Sequence, residues 1–277
     1  MSEALAPRES LTEMLRIERR SDGRSSARLE SFWGATAPGD LLARATLAGS
    51  SARGEAPGAA QAIFLRPVAP DVELTFASDA LSADRTRVCV RECDALVAEV
   101  QLRFGPAGDG LTYQSTLPEP GLPAPEDLPS EAEVAAQEGW APYAVGPIES
   151  RRLTPYLPVK DHEPAVWLGW LRPRAPLGDD AHLHAAALAF LSEYRSHWAV
   201  ERRLGADFPR TEITLLDHSL WVHRAVRWDD WWLVRTSSEI GVAGRCLSRR
   251  EIFTRGGALV ASAVWEAALR TQPTGGR

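Results

Sequence analysis

The strongest constraint in this sequence is that one plan occurs twice: a helical segment, then a run of β segments, with a proline-dense stretch between the copies. Ile63-Phe64-Leu65-Arg66-Pro67-Val68 in the first copy parallels Leu220-Trp221-Val222-His223-Arg224-Ala225-Val226 in the second, which carries one extra residue. Apolar alternation and β-branched content predict strands at Gln61–Leu65, Val72–Ala77, Thr86–Cys93 and Ala95–Phe104. The second set is predicted at Glu212–Val222, Trp231–Ser238, Ala243–Phe253 and Leu259–Leu269, with Arg255-Gly256-Gly257 supplying a hairpin turn. Ahead of the first set, Pro38 to Leu47 has helical spacing, with Pro38 suited to its start and Gly49 near its end. Ahead of the second, Asp179 to Leu204 is predicted as one long helix. Its apolar face is Ala187, Phe190, Leu191, Tyr194 and Trp198, and Asp179 and Asp180 complement its N-terminus.

Between the copies, Leu117-Pro118-Glu119-Pro120-Gly121-Leu122-Pro123-Ala124-Pro125 cannot continue a sheet, and the acidic run Glu126 to Glu138 is predicted as one short helix. The chain therefore divides into residues 1–115, a linker at 116–147, and residues 148–277. A helix on one face of an antiparallel meander, used twice, makes an α+β protein of two units side by side.

The net charge of −6 gives nucleic-acid binding no support. The longest apolar stretches, Ala185–Leu191 and Ala258–Val264, are far short of a membrane span. Met1 to Arg20 has no apolar core of a secretory signal, and the three cysteines (Cys89, Cys93, Cys246) fit reduced thiols, so a cytoplasmic location is expected. No phosphate loop, dinucleotide fingerprint or metal-ligand spacing occurs. His182 and His184 at the helix start do not share a helical face and are expected as exposed neighbours of a cap. Seven of the ten tryptophans fall between residues 165 and 235, where packing is the first expectation and an aromatic wall around an acyl group the second.

Leu216-Asp217-His218-Ser219-Leu220-Trp221-Val222-His223-Arg224 closely resembles the Asp-His-Ser-x-Trp-x-His-Arg segment of the type II acyl-CoA thioesterase family. Phe64-Leu65-Arg66-Pro67 is a second match, and Leu259 to Val264 followed by Glu266 and Arg270 is a third. The resemblance covers most of the chain outside the linker and the extreme N-terminus, and the Asp-His-Ser segment is its specific part. It implies a tandem (double) hotdog fold, in which each unit is a long helix wrapped by an antiparallel sheet. It implies hydrolysis of acyl-CoA or another acyl thioester, with no metal and no cofactor.

In that family an Asp, a Thr and a Gln orient a water and polarise the thioester carbonyl. The Asp carries over onto Asp217. The Thr position falls on Glu239, or on Ser238 with a slip of one residue, and the Gln position falls on Trp265. Trp offers a single N–H where Gln offers donor and acceptor, and Glu239 close to Asp217 would make a carboxylate pair. Dehydration or isomerisation of an acyl thioester, or binding without turnover, are therefore kept as alternatives. The expected acyl-binding residues are Trp33, Phe190, Tyr194 and Trp221, and an exposed sheet edge predicts a homo-oligomer.

Overall fold

A computed structural model describes residues 10–29, 38–105, 108, 110–116, 118–138, 146–155, 158–160 and 163–272. Chain order begins with α1 (Leu11–Met14), β1 (Glu18–Arg19), β2 (Ser25–Arg28) and α2 (Pro38–Arg53). There follow β3 (Ala59–Phe64), β4 (Glu73–Ser82), β5 (Arg85–Glu92), β6 (Ala95–Arg103) and α3 (Glu131–Glu138). The second copy holds β7 (Ile148–Arg152), β8 (Ala165–Pro173), α4 (Ala181–Glu193), α5 (Trp198–Leu204), β9 (Thr211–Leu215) and β10 (Asp217–Val222). It closes with β11 (Trp232–Val242), β12 (Arg245–Thr254) and β13 (Leu259–Thr271).

All thirteen described strands form one antiparallel sheet in the order β1-β2-β4-β5-β6-β3-β10-β13-β12-β11-β8-β7, with β9 on β13. The order from β1 to β3 repeats from β7 to β10, and the two runs meet where β3 pairs with β10, Asp217 opposite Ile63 and Trp221 opposite Ala59. Helices α2 and α4 lie against each other over one face of the sheet. Their apolar residues, with Val88, Val100, Leu102, Leu220, Val234 and Ile252, make the main core.

Four expectations are corrected. Gly49 does not end the first helix, which continues to Arg53. A Cβ on Gly49 would lie 2.4 Å from Leu102 Cδ1 and 2.9 Å from Val88 Cγ2, so glycine is what lets the helix touch the sheet. The helix expected over 179–204 is two helices separated at residues 194–197, where Arg195 has φ +52°. Arg250 Nη1 donates to the carbonyls of Leu191 (2.6 Å) and Tyr194 (2.8 Å), taking the place of the helical amides that would satisfy them. Strands β7 and β8 were not expected. β8 is buried on both faces and so has no alternation to read. The acidic run of the linker is a turn of 3₁₀ helix (Pro125–Asp127) and α3 rather than one helix.

The linker lies on the outer face of the second copy. Trp170 Nε1 donates to the Pro123 carbonyl (3.1 Å), and Glu126 pairs with Arg255 (2.7 Å). Leu122 and Leu128 pack on Trp170, Trp231, Leu233 and Phe253.

Candidate functional site

Residues paired across neighbouring strands share a face of the sheet. Ser238 on β11 pairs with Ser248 on β12, and Ser248 with Trp265 on β13. Trp265 stacks on His218 of β10, ring centres 5.7 Å apart and 4° from parallel. These four form an inner row beneath α4. Beside it, Thr236 pairs with Arg250 and Arg250 with Ala263.

The expected residues do not all meet. Asp217 precedes His218 on the strand and points the other way, and it is exposed while His218 is buried. One Asp217 oxygen, Oδ1, accepts the Glu266 N–H at 3.1 Å. Trp265 is 1% exposed on the inner face, so the two residues face opposite sides. Glu239 is exposed and accepts from Ser237 Oγ (2.6 Å). It is the bulge residue between Ser238 and Ile240. Two strands, β13 and β12, lie between β10 and β11. Asp217 and Glu239 are thus three strand spacings apart, roughly 14 Å, and make no carboxylate pair. Ser238, not Glu239, shares the row with Trp265.

Phe190 and Tyr194 are buried, ring centres 5.6 Å apart, and Tyr194 continues to Trp198 at 6.4 Å and Trp198 to Trp167 at 4.4 Å. Trp221 does not join them: Leu220 takes the inner position and Trp221 stands on the outer face, 37% exposed. Trp33 lies outside the described residues. Asp180 caps α4, accepting the amides of His182 (2.9 Å) and Leu183 (3.4 Å). His184 is buried, against expectation. Its Nε2 lies 2.9 Å from the Gly178 carbonyl and its Nδ1 accepts the Trp228 N–H at 3.1 Å. Among the described residues no cluster of His, Cys, Asp or Glu has the makings of a metal site, and no helix is long and apolar enough to cross a membrane.

The sequence reading missed the polar groups at the end of α4. Glu193, 8% exposed, accepts the Gly39 N–H through Oε2 (3.0 Å) and the Ser196 hydroxyl through Oε1 (2.8 Å). A Cβ on Gly39 would lie 2.6 Å from that carboxylate oxygen, so glycine there admits it. Burial pushes the Glu193 carboxyl up to about 7, against the pull of Ser196, Arg250 and the Gly39 amide. Arg250 is fully buried, and burial lowers its guanidinium to about 10, still protonated at neutral pH. Its Nε donates to Thr236 Oγ1 (2.8 Å). His218 Nε2 lies 3.3 Å from the Ser192 carbonyl, and burial holds this histidine down to about 4, hence neutral. Arg250 Nη2, Ser248 Oγ and His218 Nδ1 are buried without a hydrogen-bond partner among the described residues. The sequence signal was Ser192-Glu193, the first polar pair on a helix that is apolar from Ala185 to Leu191.

The family profile described as "Acyl-CoA thioesterase C-terminal domain" matches residues 125–269. Acyl-CoA thioesterase 2 of Haemophilus influenzae is 27% identical over 226 residues, 76% of this chain and 78% of that protein. Mouse acyl-coenzyme A thioesterase 8 is 26% identical over 180 residues, and the match spans 59% of this chain but only 55% of that longer protein. Among solved structures, an acyl-CoA thioesterase II from Mycobacterium marinum superposes with TM-score 0.76 at 22% identity, covering 95% of this chain and 99% of its own. A hot dog fold protein from Alicyclobacillus acidocaldarius gives 0.75 at 12% identity, covering 95% and 98%. These structures establish the hotdog architecture.

Proposed function

The chain belongs to the acyl-CoA thioesterase family, and from that premise we propose that it hydrolyses an acyl thioester, carried on CoA, to a free acid and a thiol. The observation that carries this reading is that the matched segment, 125–269, contains the whole inner row and the α4 end above it. The resemblance at Asp217-His218-Ser219 and the Haemophilus relative support the same reaction. The repeated sheet order supports two units, 1–115 and 148–277, tied by 116–147. The acyl group is placed beneath the helices towards Phe190 and Tyr194, and Trp221 on the outer face takes no part. Ser238 supplies the hydroxyl of the row. Asp217, with one oxygen on the Glu266 amide, holds the strand irregularity at Leu216 that turns His218 and Trp265 inward, and so acts as a positioning residue.

A second reading, binding without turnover, is favoured by one observation: Trp265, which by the resemblance stands at the family's Gln position, is buried and stacked on His218. Thiol release from a panel of acyl-CoAs of rising length separates the two. Hydrolysis predicts release on at least one, and binding alone predicts none. Asp217→Asn, which keeps an oxygen for the Glu266 amide, is expected to retain activity within about threefold, a shift below 1 kcal/mol. Loss of a hundredfold or more would move the reaction to the outer face.

A further inference from the structure

The geometry points to Glu193 as the catalytic carboxylate of this chain, activating water at the crossing of α4 and α2. This rests on the hydrolytic reading and assigns its base. Three features of the crossing support it. The carboxylate sits at the N-terminus of α2, where the helix amides favour negative charge and where charge develops on an attacked carbonyl. Each carboxylate oxygen accepts a single described hydrogen bond, so lone pairs remain to take a proton from water. Arg250, wholly buried, holds Nη2 without a partner, next to a row whose Ser248 Oγ and His218 Nδ1 are also unpartnered. Buried polar atoms are ordinarily satisfied, and an unpartnered N–H on the buried cation that acts on Glu193 marks a place that a polar ligand completes.

The groups facing Glu193 can be named element by element. Arg250 comes from β12, the Gly39 amide from α2, and Ser196 from the turn after α4, beside His197, which burial, Arg195 and Arg250 hold down to about 4. On α2 the neighbouring Asp40 pairs with Arg44 at 2.8 Å. Arg250 is the charged side chain that acts on Glu193 and opposes the effect of burial.

The step balances as follows. Glu193 takes a proton from water, and the oxygen forms a bond to the thioester carbon. The oxyanion is met by the spare Arg250 Nη2–H. The C–S bond then breaks, and the thiolate leaves with the proton returned from the Glu193 carboxyl. Acyl thioester and water become carboxylic acid and thiol.

The test is thiol release by the full chain with the acyl-CoA that the wild type cleaves fastest. E193Q, which still accepts the Gly39 amide, is expected to lose roughly 10²–10⁴-fold in kcat with little change in KM. E193D is expected to recover part of the rate. The wild-type rise of kcat/KM through a pH near 7 disappears in E193Q. Glu201 on α5 is likewise buried and pushed up to about 7, but it lies outside the row, and E201Q is expected to keep kcat. E193Q within threefold of wild type overturns the assignment. So does a folded, inactive D217N beside an active E193Q, which would leave hydrolysis standing and return the base to Asp217. If E193Q does not fold, the wild-type profile decides, and no protonation step between about pH 6 and pH 8 overturns the assignment. A wild type that releases no thiol from any acyl-CoA refutes the hydrolytic reading and this assignment together.

Discussion

One row of side chains crosses seven strands, from β5 to β11, and its two sides differ. From the centre it runs one way through Ala62, Val100 and Val88, and the other way through His218, Trp265, Ser248 and Ser238. The first end is apolar and closed by a helix drawn tight at Gly49. The second is polar and lies under a helix broken at Tyr194. The outer faces differ in the opposite sense. Ile63 (57%) and Leu65 (53%) are left open to solvent, whereas the linker covers Trp170, Trp231 and Leu233. The same frame thus carries its buried polarity differently in the two copies: as the Asp40–Arg44 pair within α2 in one, and along the sheet row with Arg250 in the other.

The largest expected effect is on Arg250. Arg250→Met leaves Glu193 buried without its cation and the carbonyls of Leu191 and Tyr194 without donors, at a cost of about 3–5 kcal/mol. Urea unfolding measures it, and a loss below 1 kcal/mol would erase the distinction between the two ends of the row.

Next comes pH. The Glu193 carboxyl is raised from 4.5 to about 7, so its stabilising contribution is full below pH 4.5 and is lost as pH rises through about 7, on the order of 3 kcal/mol. His218 is lowered from 6.5 to about 4, so its contribution is full above pH 6.5 and is lost as pH falls through about 4. In the overlap these two slopes oppose each other, as do those of Glu201, raised to about 7, and His197, lowered to about 4, so that removing Glu193 leaves two histidines against one acid. Thermal unfolding of Glu193→Gln is therefore expected to show stability rising with pH in that window, where the wild type is nearly flat. A variant as flat as wild type would show that Glu193 does not titrate as its burial requires.

The smallest effect contrasts two glycines. Gly49→Ala drives a methyl into Leu102 and Val88 and is expected to cost about 1–3 kcal/mol. Gly39→Ala meets Glu193 Oε2 at 2.6 Å, the Glu193 Cβ at 3.1 Å and the Phe190 carbonyl at 3.3 Å, and is expected to cost a similar amount of stability while also lowering kcat. Equal losses in Tm with kcat untouched would mean that the α2–α4 contact is packing and nothing more.

The strands that face solvent on one side were legible, because Val88, Val90 and Val100 alternate with polar neighbours. β8 was not, because Trp167-Leu168-Gly169-Trp170 is covered on both faces and shows no period. The break in the α4 region was hidden for a related reason. Trp198 keeps helical spacing from Tyr194 although the backbone turns at Arg195, a position with neither Gly nor Pro to announce it. The motif singled out Asp217 and Trp265 but not the faces on which they stand. Their opposed orientation depends on the irregularity at Leu216, and the offset of Glu239 on a bulge, neither of which composition betrays. Glu193 lay in plain sight, but its partners Gly39 and Arg250 are far off in sequence, and only the helix crossing brings them together.

The pairing of β3 with β10 has a consequence for how such a chain came to differ between its ends. Cut at the linker, each half would present that strand as a raw edge, the surface on which two identical copies would join. Covalent fusion replaces that encounter by an intramolecular one, so assembly no longer depends on protein concentration. It also lifts the requirement that every residue work in both copies. Arg250, which meets the carbonyls that end α4, has to be accommodated in one copy only, while the other buries a different arginine, Arg44, against Asp40 of its own helix.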